Sequence, residues 1–174
     1  MFSLSDFDDA SLPSPLVTPR FVEYIIGIDP GTHCGWCVLN LETGERIASG
    51  VWDLSVRRHE GGGMRYLRAR QMLRQLIDAS PPVALLYEEV AAHKGSDAAH
   101  VYGGIVGQVT SLCEERGIPY KGMPVGTVKK YASGKGNCGK PEMIAAAIER
   151  WHFDVADDNE ADALWVAETW RSQQ

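Results

Sequence analysis

Three strand-like segments stand almost end to end near the start of the chain, and this crowding constrains the fold more than any other feature. VEYIIGID, residues 22–29, is a β-rich apolar run broken by Pro30, Gly31 and Thr32. CGWCVLNL and GERIASGVWDL follow, separated only by a polar turn at Glu42 to Glu45. Joins this tight imply an antiparallel start, since parallel strands need a crossover of a dozen residues or more. A helix is then expected over Met64 to Ala79, where Tyr66, Ala69, Leu73, Leu76 and Ile77 keep the 3.6-residue period and Arg68, Arg70 and Arg74 flank it. VALLYEEV reads as a buried strand ending in carboxylates, and a second helix runs from Asp97 to Arg116, stopped by Gly117. GIPYKGMP supplies a short strand; TVKKYASG, KPEMIAAAIERW and DNEADALWVAETW are mostly helical. The order implies an α/β domain built on a mixed five-stranded sheet, three antiparallel strands and then parallel ones, flanked by helices.

A chain of 174 residues, 44% of them apolar, suits one such domain. Residues 1–20, with Asp6, Asp8, Asp9 and three prolines, lack apolar periodicity and are expected to be a flexible acidic tail, in which Phe2 and Phe7 could anchor a partner. The domain is then 21–174. No run of about 18 apolar residues exists, so no membrane contact is expected, and the tail lacks both a secretory pattern and any Lys or Arg before Arg20. Four scattered cysteines point to free thiols in a reducing, intracellular compartment such as the cytoplasm. Cys34 and Cys37, three apart on a strand, face opposite ways and are expected to be buried thiols, not a zinc pair. With 17 Lys plus Arg against 23 Asp plus Glu, the net charge of -6 argues against a polycation-type nucleic-acid binder and leaves the question to local clustering.

Carboxylates end the apolar segments at several places. Asp29 closes one strand, Glu88 and Glu89 close another, and Asp158 and Asp162 lie at the start of the last helix. If the two strands are central neighbours, Asp29 and Glu88 emerge at the sheet end where α/β proteins bind ligands. Asp157 and Glu160 have capping-box spacing, which places Asp158 and Asp162, four apart, on one helical face. An oxygen-only set suits Mg²⁺ or Mn²⁺, and such ions can activate water and stabilise the leaving oxygen of a phosphodiester. Each acid taken singly has a structural explanation as a turn or cap residue, and that explanation is kept for Asp157, Glu160 and Glu89.

GIDPGTHCGWCVL, LLYEEV, GTVKKYASGKGNCGKPEM and DNEADALWVA, in this order, resemble the RuvC family of Holliday junction resolvases, which has the ribonuclease H fold. The resemblance runs from Ile25 to Ala167. It implies a homodimeric, Mg²⁺-dependent endonuclease, with Mn²⁺ able to substitute, that nicks four-way DNA junctions in recombination and repair. It also implies that Asp29, Glu88 and Asp162 are catalytic metal ligands, and that Lys129 and Lys140 approach the DNA backbone. Two departures stand out. The third family carboxylate commonly lies three residues before the last, where this chain has Asn159, so Asp158 is the acidic substitute. An aromatic wedge found in some members three residues after the glutamate is replaced by Ala91, leaving His93, Lys94 and Tyr102 as candidates for opening the junction and making branched DNA in general the safer substrate class.

Lys130 and Lys135 join Lys129 and Lys140 as candidate phosphate contacts, with Lys94, Arg65 and Arg68 beside them. For the arginine-rich helix an ordinary solvated face is the favoured explanation. Gly103, Gly104 and Gly107 weaken a helix unless something packs closely there, either the sheet of the same chain or a second subunit. Competing expectations are a nucleotide-binding lobe of the actin type, which one domain of this size cannot close, a ribonuclease on structured RNA, and a non-catalytic junction-binding module. The compact size and the tail would also suit a phage-encoded or organellar relative.

Overall fold

The segments that alternate or run apolar form the strands, and the 3.6-residue stripes form the helices, in a computed structural model that describes residues 22–91 and 95–174. The element order is β1 (Tyr24–Asp29), β2 (His33–Asn40), β3 (Arg46–Asp53), α1 (Gly63–Ala79), β4 (Pro82–Glu89), α2 (Ser96–Arg116), β5 (Tyr120–Pro124), α3 (Val125–Ser133), α4 (Lys140–Trp151) and α5 (Asp158–Arg171). The proposed tail, with Phe2 and Phe7, and the candidates His93 and Lys94 lie outside the described residues.

One five-stranded sheet has the order β3-β2-β1-β4-β5. β1 pairs antiparallel with β2, and β2 with β3, while β4 runs parallel to both β1 and β5. The mixed sheet and flanking helices expected from the sequence are therefore present. The β2–β3 turn closes because the Asn40 side chain accepts from the N–H groups of Glu42 and Thr43, at 2.8 and 3.1 Å, and Gly44 takes φ +69°.

Side-chain parity sorts the core into two layers. Ile25 of β1, Cys37 and Leu39 of β2, and Ala84 and Leu86 of β4 pack on one face, against α3, α4 and α5. Ile26, Ile28, Cys34, Val38 and Leu85 pack on the other, against α1 and α2. Each fully buried Ile or Leu in these layers contributes roughly 1.5–3 kcal/mol. Cys34 and Cys37 thus point to opposite faces as expected, and burial pushes the Cys34 thiol up to about 12. Among the described residues all four cysteines are free and buried, and no helix is long and apolar enough to cross a membrane.

Helix α5 is buried almost all round, from Ala161 and Ala163 through Leu164, Trp165, Val166 and Ala167. It can lie this close to the sheet because β1 and β2 offer glycines beneath it. A Cβ at Gly27 would stand 2.2 Å from the Ala163 carbonyl oxygen, and one at Gly35 would stand 1.9 Å from that of Asn159. Both are clashes with backbone, so only Gly admits the helix here.

Candidate active site

The same parity that builds the two core layers aims the acids. Asp29 follows Ile25 and Gly27 on the α5 face of β1, and Glu88 follows Ala84 and Leu86 on the α5 face of β4. The strands are parallel neighbours in register up to Ile28 and Tyr87, so the next residues, Asp29 and Glu88, leave the sheet together. Glu89 shares the parity of Leu85 and Tyr87 and points to the other face.

Helix α5 supplies the remaining acids. The Asp157 carboxylate accepts from the Glu160 N–H at 3.1 Å and caps the helix. The reciprocal half of the capping box is absent. Glu160 is buried, 4% exposed, and its carboxylate takes the Ser49 hydroxyl at 2.5 Å and the Ala156 N–H at 2.6 Å, tying the helix start to β3. Asp157 keeps the capping role expected of it, while Glu160 holds the helix to β3 in place of the expected capping box. With the cap so fixed, Asp158 and Asp162 face Asp29. Asn159 turns its amide back to donate to Asp157 at 3.0 Å.

Gathered in this way, the acids act most on Asp29 and Asp162. Burial, and then the charges of Glu88, Asp162 and Asp158, hold the Asp29 carboxyl well above the usual range. A hydrogen bond between Asp29 and Glu88 adds to the rise of Asp29, while burial raises Glu88 against the opposing pull of Lys129 and of that bond. Burial and the neighbouring Glu88 and Asp158 push Asp162 up to about 7, with Lys129 and Lys140 acting the other way. Lys140 forms an ion pair with Asp158 from a position 73% exposed, so its ammonium sits at the solvent edge of the acids. Among the described residues no group of three or more His, Cys, Asp or Glu side chains is placed so that it could hold a metal ion. The two lysines offset only part of the negative charge collected here.

The candidate basic residues separate. Lys129 and Lys140 reach the acids; Lys130 and Lys135 are exposed on α3 and the loop after it. Arg68 is largely buried, paired with Glu60 and donating to the Ser55 carbonyl at 2.7 Å, so its guanidinium is occupied within the fold. Arg70 and Arg74 pair with Glu115 of α2, linking two helices as ordinary ion pairs do. Arg65 differs, as its Nε is buried with no hydrogen-bond partner among the described residues. Tyr102, an expected candidate for opening the junction, is instead tied down: its hydroxyl donates to the Glu88 carbonyl at 3.0 Å and accepts from the Val90 N–H at 3.2 Å. Its contact is with the strand that carries Glu88.

No family model matches the chain. The crossover junction endodeoxyribonuclease RuvC of Anaeromyxobacter sp. (strain K) is 32% identical over 152 residues, covering 82% of this chain and 77% of that protein. The chain belongs to the RuvC family. The RuvC of Halorhodospira halophila is 27% identical over 146 residues, 82% of this chain and 86% of its own length. Thermus thermophilus RuvC in complex with Holliday junction substrate matches with a TM-score of 0.75 and 24% identity, over 84% of this chain and 92% of that one. The yeast mitochondrial Holliday junction resolvase matches with a TM-score of 0.59 and 16% identity, over 86% and 78%. These two likenesses show the fold, the mixed sheet of the RuvC structures.

Three features of this RuvC chain went unread in its sequence. Gly27 and Gly35, on which the depth of α5 depends, carried a usable signal, since a glycine inside an apolar strand marks close backbone approach. The anchoring role of Tyr102 carried none, because its partners are main-chain atoms on another element. The unpartnered Nε of Arg65 carried none either, because it depends on how α1 packs.

Proposed function

We propose that the chain is a structure-specific endodeoxyribonuclease that nicks branched DNA, four-way junctions foremost, by metal-dependent hydrolysis of the phosphodiester. The observation that carries this reading is the gathering of Asp29, Glu88, Asp158 and Asp162 from β1, β4 and α5 with too little positive charge among them. Family membership supports the substrate class, since the relatives are crossover junction endodeoxyribonucleases by name.

The donor set fits a hard divalent cation. All four groups are oxygen ligands; burial raises Asp29, Glu88 and Asp162, with neighbouring acids adding to it for Asp29 and Asp162, and a divalent ion offsets both effects. Asp29, Glu88, Asp158 and Asp162 would hold Mg²⁺, with Mn²⁺ able to replace it. Bound there, the metal supplies activation of the attacking water and charge stabilisation at the leaving oxygen. The chain's own residues do the remaining work. Lys129, beside Glu88 and Asp162, and Lys140, at the exposed edge, bind the phosphates on either side of the cut and orient the backbone across the acids. Lys130 and Lys135 extend that contact outward. Tyr102 keeps the end of β4 in place through the Glu88 carbonyl.

Two symmetric nicks require two sites related by a two-fold axis, hence a homodimer. Gly104 is explained within the subunit, where the Tyr66 ring occupies the place of its Cβ. Gly103 and Gly107 lie on the open face of α2 with nothing within 4 Å of a built Cβ, which suits a close approach by a second subunit.

A panel of labelled four-way, three-way, flap, linear and RNA-hybrid substrates, with wild type and Asp29→Asn in Mg²⁺, tests the reading. Nicking of four-way junctions above all, lost in Asp29→Asn with junction binding kept, is the expected result. Cutting retained by Asp29→Asn overturns it. Because Ala91 stands where some members have an aromatic wedge, substantial cutting of three-way and flap DNA is expected beside it.

A further inference from the structure

Consecutive side chains at the start of α5 take different directions, and one of them turns away from the acids altogether. Asp157 caps the helix and also accepts from the Asn159 amide, while Asp158 pairs with Lys140 beside Asp29. Glu160 turns toward β3, accepting from the Ser49 hydroxyl at 2.5 Å and from the Ala156 N–H at 2.6 Å. With about 100° of turn per residue, Glu160 stands about 160° round the helix from Asp158 and equally far from Asp162. A contact that pins Glu160 therefore pins the roll of the first turn, and with it the direction of both acids.

Other contacts do not fix that roll. The Asn159 carbonyl over Gly35 sets how closely the helix lies on β2, and Leu164, Trp165 and Val166 hold the later turns in the core. Of residues 157–160, only Glu160 is buried. Side-chain tips stand about 5–6 Å from a helix axis, so a roll of about 20° carries a carboxylate about 2 Å. A ligand set works only within about 0.5 Å of its productive geometry.

Ser49 and Arg46 give the anchor its direction. A serine hydroxyl has one hydrogen, and the Arg46 guanidinium donates to the Ser49 oxygen at 3.2 Å, which leaves that hydrogen for Glu160. Arg46 in turn lies over the Phe153 ring, 3.9 Å from its centroid. Phe153 and Ala156 belong to the connection between α4 and α5, so β3, that connection and α5 all meet around one carboxylate.

We propose that Ser49 and Arg46 are positioning residues for the metal: acting through Glu160 from the edge strand, they set the roll of α5 at which Asp158 and Asp162 share a divalent cation with Asp29 and Glu88. The proposal rests on the nuclease reading above. An anchor that served stability alone would resemble Glu168, whose partners hold the far end of the same helix.

The test compares full-length wild type with Ser49→Thr, Ser49→Val, Arg46→Met and Glu168→Gln. Thr and Val share a shape and both suit a strand, but only Thr keeps the hydroxyl. Mn²⁺ affinity without DNA, followed by the paramagnetic resonance of the free ion, is measured at a temperature where each variant is folded. Single-turnover nicking against Mn²⁺ concentration and thermal unfolding in EDTA accompany it. Ser49→Val is expected to weaken Mn²⁺ binding about tenfold, with nicking shifted to correspondingly higher Mn²⁺, and Arg46→Met about threefold. Ser49→Thr is expected to stay within about twofold of wild type. Glu168→Gln is expected to melt lower while binding Mn²⁺ as wild type does. Ser49→Val and Arg46→Met proteins that melt lower yet bind Mn²⁺ like wild type overturn the proposal, as does equal weakening by Ser49→Thr and Ser49→Val. If Ser49→Val does not fold, Arg46→Met, altered at a partly exposed position, decides the matter. Wild type that binds no Mn²⁺ overturns both readings. Failure of the nuclease reading alone looks different: no junction is cut, while the order of Mn²⁺ affinities among the variants persists.

Discussion

Helix α5 carries buried acids at both ends, and the two ends treat them in opposite ways. Near the C-terminus Glu168 is 2% exposed, yet it accepts from Arg150 at 3.1 Å and from Arg171 at 2.6 and 2.8 Å. One carboxylate has two guanidinium partners there. At the N-terminus Asp158 and Asp162 meet Asp29 and Glu88, four carboxylates with two lysines beside them. At that same end Glu160, whose side chain turns toward β3, is satisfied by the Ser49 hydroxyl and a main-chain N–H. The fold evidently can neutralise a buried acid when that acid only holds elements together. Leaving four undercompensated at one place costs stability, and a site with that imbalance is arranged for a cation that arrives with the reaction.

Substitutions at the two ends should therefore move different quantities. The greatest change is in rate: Asp29→Asn and Asp162→Asn are expected to lower single-turnover nicking of a four-way junction by about a thousandfold or more, with little change in junction binding. Comparable loss from Glu168→Gln, measured at a temperature where that variant is folded, would erase the distinction. Next comes Gly35→Ala, whose Cβ would meet the Asn159 carbonyl at 1.9 Å and lift the start of α5 off β2. A loss of about 2–4 kcal/mol in denaturant unfolding is expected, with weaker metal binding in the fraction that stays folded.

Glu168→Gln ranks third. It leaves Arg150 and Arg171 without their acid, and because both keep some solvent access the expected destabilisation is about 2–3 kcal/mol, below the upper range for a buried pair. The last and mildest change has the opposite sign. Burial and its acidic neighbours raise Asp162 from an ordinary value of 3.8 to about 7 on folding, so the folded state holds more protons than the unfolded one between those values. Its presence therefore weakens the fold progressively as pH rises from about 4 to 7. In EDTA, Asp162→Asn should be more stable than wild type at about pH 8, on the order of 2 kcal/mol, with the advantage shrinking at about pH 5. Thermal melts of the two proteins at both pH values check it, and an advantage that grows as pH falls would count against it.

Much of the acidic end was legible in the amino-acid order. Alternation along YIIGID and ALLYEE determines which side chains share a face, so Asp29 and Glu88 follow from strand parity once β1 and β4 are neighbours. Asp157 was legible as a cap because a short acceptor before a helix satisfies free N–H groups. The partner of Glu160 was not, because it comes from Ser49, 111 residues away, and depends on where α5 settles. Arg68 was a candidate DNA contact on a helix read foremost as an ordinary solvated face, and Glu60 in the preceding loop takes its guanidinium. Local pattern gives periodicity and caps; which long side chains meet is decided by packing between elements, and sequence spacing does not encode that.

If the acids of β1, β4 and α5 form one divalent-cation site while Glu168 at the far end of α5 stands apart from it, added metal should stabilise the fold only through the first group. Thermal unfolding at about pH 7.5 with and without Mn²⁺, on wild type, Asp162→Asn and Glu168→Gln, reads this out. Mn²⁺ is expected to raise the melting temperature of wild type and of Glu168→Gln by similar increments and to leave Asp162→Asn unmoved. An equal rise in Asp162→Asn, or none in wild type at millimolar Mn²⁺, would show that these acids do not share a cation.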